Sequence, residues 1–331
     1  MGRRRIAAAI VLAVMQVAVI VSLALAGPDD STHRAPIRIV APPVVATSLV
    51  EAANGVAGRP FEARALATAE EARESVRAGR SVAAVVVDLA QERDVLYVAS
   101  ANGAALNRVI EREVDVFEGA FGRTAVVHDL VPAKNGDPGH RLVYVLAGVS
   151  VLMGLLVAIV ATWRHGPRAE TLLDGTRRFF ATSVAAVVLG GLIGAFCAAY
   201  YDTGLGIWWL VTSLTILAAT STTLALQSVF GVFGIGVATT LIVLSAAPLV
   251  RLVHPLMLPQ PWAAVTPWLP HGAALDAGAS HAYFGGDQVL RPVLILTAWI
   301  ALSLLTTVVA RRERQRELTG DGAPGGRPST A

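Results

Sequence analysis

The chain has 331 residues, of which 54% are hydrophobic and only 15% charged, and its net charge is +3. A soluble domain carries about a quarter of its residues as charges. That deficit, with a mean hydropathy of +0.58, excludes an ordinary soluble protein and points to an integral membrane protein.

The first apolar run, Ile6–Ala26, follows Arg3, Arg4 and Arg5. Its end, "ALAG", resembles a secretory cleavage site. A signal's apolar region spans about 7–15 residues, and this one is longer, so residues 1–26 are expected to stay as a membrane anchor with a short cytoplasmic N-terminus.

Residues 27–141 change character. After the linker "GPDDSTHRAP", "IRIVA" reads as a strand and "VVATSLVEAANGVAG" as a helix ending at glycine. "FEARAL" is a second strand, and "TAEEARESVRAG" a helix opened by a threonine cap with glutamates behind it. "SVAAVVVDL" and "DVLYVAS" are further strands. In "GAALNRVIEREVDVFEGAFG", Leu106, Val109, Ile110, Val114, Phe117 and Phe121 form one helical stripe. "TAVVHDLVP" closes the set. The order β-α-β-α-β-β-α-β predicts a compact α/β domain with its own core, placed outside the membrane. No catalytic constellation is visible there. Ser48, Ser75, Ser81 and Ser100 lack a nucleophile-elbow setting, and His33 and His128 have no metal-ligand partner at i+3 or i+4.

Five more runs are long enough, at roughly 20 residues, to cross a bilayer. They are Leu142–Trp163, Phe179–Tyr200, Ile207–Leu226, Val232–Val250 and Pro292–Ala310. A glycine-rich hinge, "FGVFGIG", joins the fourth and fifth spans. Six spans put three arginine clusters on one side: Arg3–Arg5, Arg164 to Arg178, and Arg311 to Arg316. The positive-inside rule assigns that side to the cytoplasm, giving a multi-pass plasma-membrane protein with both termini inside. These clusters read as topology signals toward the lipid bilayer, so nucleic acid is not expected as a partner. Residues 311–331 read as a disordered cytoplasmic tail.

Two features bound the chemistry. Lys134 is the only lysine and no Gly-rich Lys-Ser/Thr turn exists, so the chain itself is no P-loop ATPase. No Asp, Glu, Lys, Arg or His lies within the six runs, which argues against a self-sufficient ion-coupled carrier. With no acid–base or nucleophile set, neither an enzyme nor a cofactor is expected. Instead the third span carries Gly190 and Gly194, spaced for close helix approach. The fourth carries Thr212, Ser213, Thr215, Thr220, Ser221, Thr222 and Thr223. Of these, Thr212, Thr215, Thr220 and Thr223 are candidates for a polar pathway, although helix–helix hydrogen bonding explains them as well. Cys197, the single cysteine, sits in an apolar run and reads as a packing residue. "RHGPRAETLLDGTRR" is read as one short amphipathic helix under the membrane or as a plain linker. Glu170, Leu172, Leu173 and Asp174 are its candidate docking residues.

The loop Arg251–Arg291 is proline-rich, with Pro255, Pro259, Pro261, Pro267 and Pro270 among its breaks. Trp262 and Trp268 suit the headgroup layer. "HGAALDAGASHAYF" is expected to form a short helix within a re-entrant or interfacial hairpin on the outer face. His254, His271, His281, Asp276 and Asp287 do not have helical metal-ligand spacing, so no metal site is expected.

The plan of one span, an outer domain, then five spans with a proline-rich outer loop resembles the type-2 ABC transporter permease family, in the branch related to phage infection proteins. "DLVPAKNGDPG" (Asp129–Gly139), "SANGAALNRVIE", "PWLPHGAALDAGASHAYF" (Pro267–Phe284) and "RPVLILTAW" carry the resemblance, which covers almost the whole chain. Ala133, Lys134 and Asn135 interrupt the family's proline run, and only five residues precede the first span. The resemblance implies a permease-like subunit that moves an apolar or amphipathic substrate outward, driven by a separate ATP-binding subunit, and working as a homodimer. It implies that Trp268, Pro270, Gly272, Asp276 and Tyr283 form an outer gate. The rival expectation is a non-transporting receptor or assembly scaffold whose outer domain binds a ligand.

Overall fold

The fold is that of a computed structural model, which describes residues 17, 32–91, 93–134, 137, 141–166, 172–231, 233–245, 254–260 and 262–319. Five strands form one sheet in the order β2-β1-β3-β4-β5: β1 (Ala35–Val40), β2 (Phe61–Ala65), β3 (Ala83–Val86), β4 (Arg93–Val98) and β5 (Thr124–Asp129). β1 runs parallel to β2 and β3, β4 antiparallel to β3, and β5 parallel to β4. The crossovers are helices α1 (Pro43–Gly55), α2 (Ala69–Arg77) and α3 (Ala104–Gly119). This is the element order expected from the sequence.

Local chemistry explains each helix. Pro43 supplies a pre-set first turn to α1. α2 opens on a capping box: Glu71 donates its N–H to Thr68 Oγ1 at 3.2 Å, and Thr68 N–H returns to Glu71 Oε2 at 3.3 Å. Glu70 and Glu71 in its first turn and Arg77 in its last both favour the helix dipole. α3 buries Leu106, Val109, Ile110 and Val114 as its stripe predicts, with Phe117 packed behind them. Phe121 departs from that stripe, because α3 ends at Gly119 and Gly122 turns the chain at φ +70°. Phe121 is therefore exposed.

α1 and α3 cover one face of the sheet through Ile37, Ile39, Val85 and Leu96. α2 covers the other through Ala72, Val76, Ala84 and Tyr97. Each core is completed from far along the chain: Met257 enters the first and Phe284 the second.

Among the described residues, four helices are long and apolar enough to cross a membrane. They are α4 (Arg141–His165), α5 (Leu172–Tyr201), α6 (Leu205–Phe230) and α9 (Leu290–Thr319). α6 is the hub, packing on α4, α5 and α9. α5 and α9 turn most of their apolar surface outward. The first expected span lies outside the described residues except for helical Val17. The fifth begins where expected, as α7 (Phe233–Ser245). Its described 13 residues reach only about 20 Å, short of a crossing, and residues 246–250 lie outside the described set. Gly231, at φ +63°, makes the turn from α6 into α7.

Two boundaries differ from the sequence reading. Residues 172–178 are the first turns of α5, not part of a separate amphipathic helix: the helix runs without a break from Leu172 to Tyr201, through the polar stretch Asp174–Arg178 and into the apolar run. Residues 311–319 continue α9 where a disordered tail was expected. "RRERQREL" is rich in helix-forming side chains, and Arg314 donates to Ser228 O at 2.8 Å, tying this turn to α6.

The proline-rich loop yields a single turn at Trp262–Val265, a 3-10 turn at Thr266–Trp268, and then α8 (Pro270–Tyr283), a 14-residue helix. Pro270 begins that helix instead of breaking it, since the first helical position needs no N–H donor.

Candidate functional site

α8 is the feature that organises the membrane part. Ala273, near its start, shares a core with Ala218, halfway along α6, and with Leu296 and Ile300 of α9. Leu275 and Ala274 meet Val143, Tyr144 and Trp208. Its C-terminal end lies beside Tyr201 and the sheet. At about 21 Å it covers less than the bilayer's apolar thickness of about 30 Å. Small residues allow it inside: an added Cβ at Gly278 would come within 2.8 Å of Val143, and one at Gly272 would collide with Thr266 O.

At the sheet end of the bundle, the connection before α4 meets α8. Asp137 is 2% exposed. It accepts the Tyr201 hydroxyl at 2.7 Å and, more weakly, that of Tyr283 at 3.4 Å. Lys134 donates to Tyr200 O and lies over the rings of Tyr200 and Tyr201, at 5.1 and 5.8 Å. Tyr201 stacks on Trp208, and Trp208 meets His281 edge-on, each with centroids 5.5 Å apart. Trp208 Nε1 donates to Thr203 at 2.8 Å, and His281 Nε2 lies 2.9 Å from Gly204 O. The cluster joins "DLVPAKNGDPG" and "PWLPHGAALDAGASHAYF", segments about 140 residues apart, through hydrogen bonds and rings. Its chemistry is that of a fastening: a buried carboxylate held by phenols, and an ammonium held by aromatic faces.

The gate candidates all lie on α8 or its lead-in, but not at one constriction. Trp268 is 59% exposed, under the Arg291 guanidinium at 5.2 Å, and its carbonyl accepts from Trp299 Nε1 at 2.8 Å. Pro270 starts the helix, Gly272 sits against Thr266, and Asp276 is half-buried midway. Tyr283 closes the far end, about 20 Å along the helix from Pro270 at 1.5 Å per residue. The four pathway threonines are buried in α6 and their hydroxyls are used by carbonyls. Thr212 serves Gly190 O and Trp208 O, both at 2.7 Å, and Thr220 serves Gly154 O at 2.9 Å and Ile216 O at 2.8 Å. Thr215 and Thr223 bond one turn back, to Val211 O and Ala219 O. Of the docking candidates, Glu170 lies outside the described residues, while Leu172, Leu173 and Asp174 open α5. Among the described residues no three potential metal ligands come together.

Two clusters escaped the sequence reading. At the end of the bundle away from the sheet, the buried Arg178 donates to Thr162 Oγ1 at 2.9 Å and Gly166 O at 3.0 Å. Thr162 in turn donates to the buried Gln227 at 2.7 Å. Arg178 belongs to α5 although it precedes the apolar run, so only the helix's extra turns reveal it. Within the α/β domain, Arg123 holds the fully buried Asp94 through Nε at 2.7 Å and a second nitrogen at 2.5 Å. Burial would raise the Asp94 carboxyl, but the bonds from Arg123, Glu118 and the Asp88 N–H outweigh it and hold it below its ordinary value. Burial, then the hydrogen bond and charge of Asp94, push Glu118 up to about 8.

Two open grooves lie on the surface of the described residues. One, of about 530 Å³, runs between Arg38, Arg80 and the glutamates of α2. The other, of about 580 Å³, lies between α6 and α9 and is lined by Val229, Leu305, Val309 and Arg314. No protein-family model matches the chain, and neither does any curated protein or solved structure.

Proposed function

We propose that this chain is a permease-like membrane subunit of the type-2 ABC exporter kind, moving an apolar or amphipathic substrate outward under the stroke of a separate ATP-binding subunit. In this reading six spans cross the plasma membrane, both termini are cytoplasmic, and the α/β domain and the loop 251–291 lie outside. The observation that carries it is α8, a helix too short to cross the bilayer, lodged among α4, α6 and α9. Helices that stop within the membrane are found where they are covered by protein or line a pathway, and broken helices mark the working sites of many transporters. α8 would be the moving outer gate, steered from its Tyr283 end. The first turns of α5, carrying Leu173 and Asp174, would receive the ATPase stroke.

A second reading, a non-transporting receptor or scaffold, is favoured by the internally bonded threonines and by the close glycine contacts of α5 with α6. An added Cβ at Gly194 would meet Trp209 N at 2.9 Å. Purification of the tagged chain from its own membranes in mild detergent separates the two. A permease brings down a P-loop ATPase whose hydrolysis responds to the chain after reconstitution. Recovery without an ATPase, or ATP turnover by the chain alone, ends the first reading.

A further inference from the structure

Val40 of β1 packs in the α2-side core, so Arg38, two residues earlier on the same strand, faces that side as well. α2 lies over β3 and β1, and the groove of about 530 Å³ runs alongside it. Arg38 and Leu66 form its floor, Arg80 lies at the end where α2 stops, and Glu70, Glu71 and Glu74 of α2 form its wall. One side of the groove is thus basic and the other acidic.

The glutamates differ in what they already hold. Glu71 closes the capping box with Thr68, and Glu70 holds Arg73 at 3.0 Å and Arg77 at 3.5 Å. The Glu74 carboxylate has no partner among the described residues. Arg38 is equally unanswered. It is half-buried, its Nη1 makes a long bond to Ile37 O at 3.3 Å, and among the described residues no carboxylate pairs with it. Arg64 stands directly opposite on β2, and Glu62 beside it is shared between Arg64 at 2.8 Å and Arg34 at 3.4 Å. Burial and then the charge of Arg64 hold the Arg38 guanidinium below its ordinary value; Glu62 opposes them, and Arg80 adds to the lowering. A cation drawn partly out of water among like charges is stabilised by an anion brought to it.

We propose that this groove binds a small zwitterion, its carboxylate or phosphate held by Arg38 and Arg80 and its ammonium by Glu74. A plain anion would meet the glutamate wall, and a plain cation would meet the arginines. A molecule with both ends answers the two uncompensated charges together. A guanidinium takes a carboxylate or a phosphate through two parallel N–H bonds, and the volume is that of a small-molecule pocket. Arg80 also approaches Asp287 at 3.9 Å, so a bound anion competes with a contact between the domain and the segment after α8. The inference holds whether the chain moves a substrate or only binds one.

The experiment titrates the detergent-purified full chain by calorimetry. Glycylglycine and phosphoethanolamine carry both charges; inorganic phosphate and ethanolamine carry one kind each. At least one of the zwitterions should bind once per chain, about tenfold or more tighter than phosphate or ethanolamine, since each of these makes only half of the charge-assisted contacts. The tighter of the two zwitterions identifies the anionic end as a carboxylate or a phosphate. Glu74→Gln, at an exposed site, should weaken zwitterion binding by about tenfold, as loss of a bond to a charged group does, and leave phosphate binding unchanged. Arg38→Gln should weaken zwitterion and phosphate alike. Glu51→Gln, exposed on α1 across the sheet, should change neither. No binding of either zwitterion at millimolar concentration, phosphate binding as tightly as they do, or zwitterion affinity indifferent to Glu74→Gln each overturn the proposal. The Glu74 variant keeps the test decisive even where Arg38→Gln fails to fold.

Discussion

Phe284 belongs to the chain end of α8, yet it completes the α2-side core of a sheet whose last strand ended 155 residues earlier. Its side chain is 6% exposed and packs on Gly79, where an added Cβ would stand 3.0 Å from the ring. Phe284→Ala removes the ring from a site that the backbone on both sides holds open. Large-to-small changes of this kind cost about 3–5 kcal/mol. The whole chain is too large for a single two-state transition, so local opening is the quantity to measure. Hydrogen exchange on the detergent-purified chain reads it directly. A loss of about 3 kcal/mol speeds exchange through the opened state by roughly two decades, at about 1.4 kcal/mol per decade. The acceleration should appear in β1, β3 and α2, and also in the last turns of α8, because one contact serves both. Exchange within twofold of wild type in β3 and α2 would refute the reasoning, and so would acceleration in α8 alone. Val44→Ala, at an exposed site of α1, is the matched control and should change neither.

The remaining expectations use other parts of the fold. The raised Glu118 should make the α/β domain lose stability as pH rises from its ordinary value of 4.5 toward about 8, because the folded state then holds a proton that the unfolded chain has released. The lowered Asp94 acts oppositely, and its contribution disappears as pH falls through the acid range. Melting followed from pH 5 to 8 should decline, and Glu118→Gln should flatten that decline; an unchanged slope refutes the assignment. Gly190→Ala places a methyl against the backbone of Ser213, so overpacking of about 1–3 kcal/mol should appear as earlier unfolding in a denaturing-detergent titration. Asp137→Ala leaves the Tyr201 hydroxyl buried without its acceptor, at a cost of about 1–3 kcal/mol. Tryptophan fluorescence, reporting Trp208 stacked on Tyr201, should shift with it.

Secondary structure in the α/β domain was legible because each signal there is local. The Thr68–Glu71 spacing, the four-residue apolar recurrence from Leu106 and the β-branched run through Val85 each dictate an element from a few neighbours. The long helices were legible from length and hydropathy, but their ends were not. Arg178 and Arg311 look like cytoplasmic charges in sequence, while both lie within helices, since arginine is itself a good helix former, and the tip of Arg178 reaches Gly166 O and Thr162 Oγ1. The candidate site was legible only in pieces. "NGDPG" and "SHAYF" each stood out, but nothing local says that Asp137 accepts from Tyr201 and Tyr283. That pairing depends on how α4, α5 and α8 converge, and it is set by the packing of Val143, Leu275 and Trp208.

The loop from Pro255 to Phe284 is therefore the element in which the two halves of the protein are one object. Leu256 accepts the N–H of His33 at 2.9 Å at one end, and Met257 beside it lies in the core under α1 and α3. Phe284 lies in the core under α2 at the other, and Asp287 approaches Arg80 at 3.9 Å. Between these two anchorages the chain descends to the middle of α6 and returns as α8. The sheet thus grips both arms of the inserted segment, one on each face. A tilt of the sheet relative to α4 and α6 cannot leave α8 where it is without emptying one of two packed cores, each a cost of several kcal/mol. Packed cores resist such strain and shift between discrete arrangements, so anything that rotates the domain moves the buried helix with it.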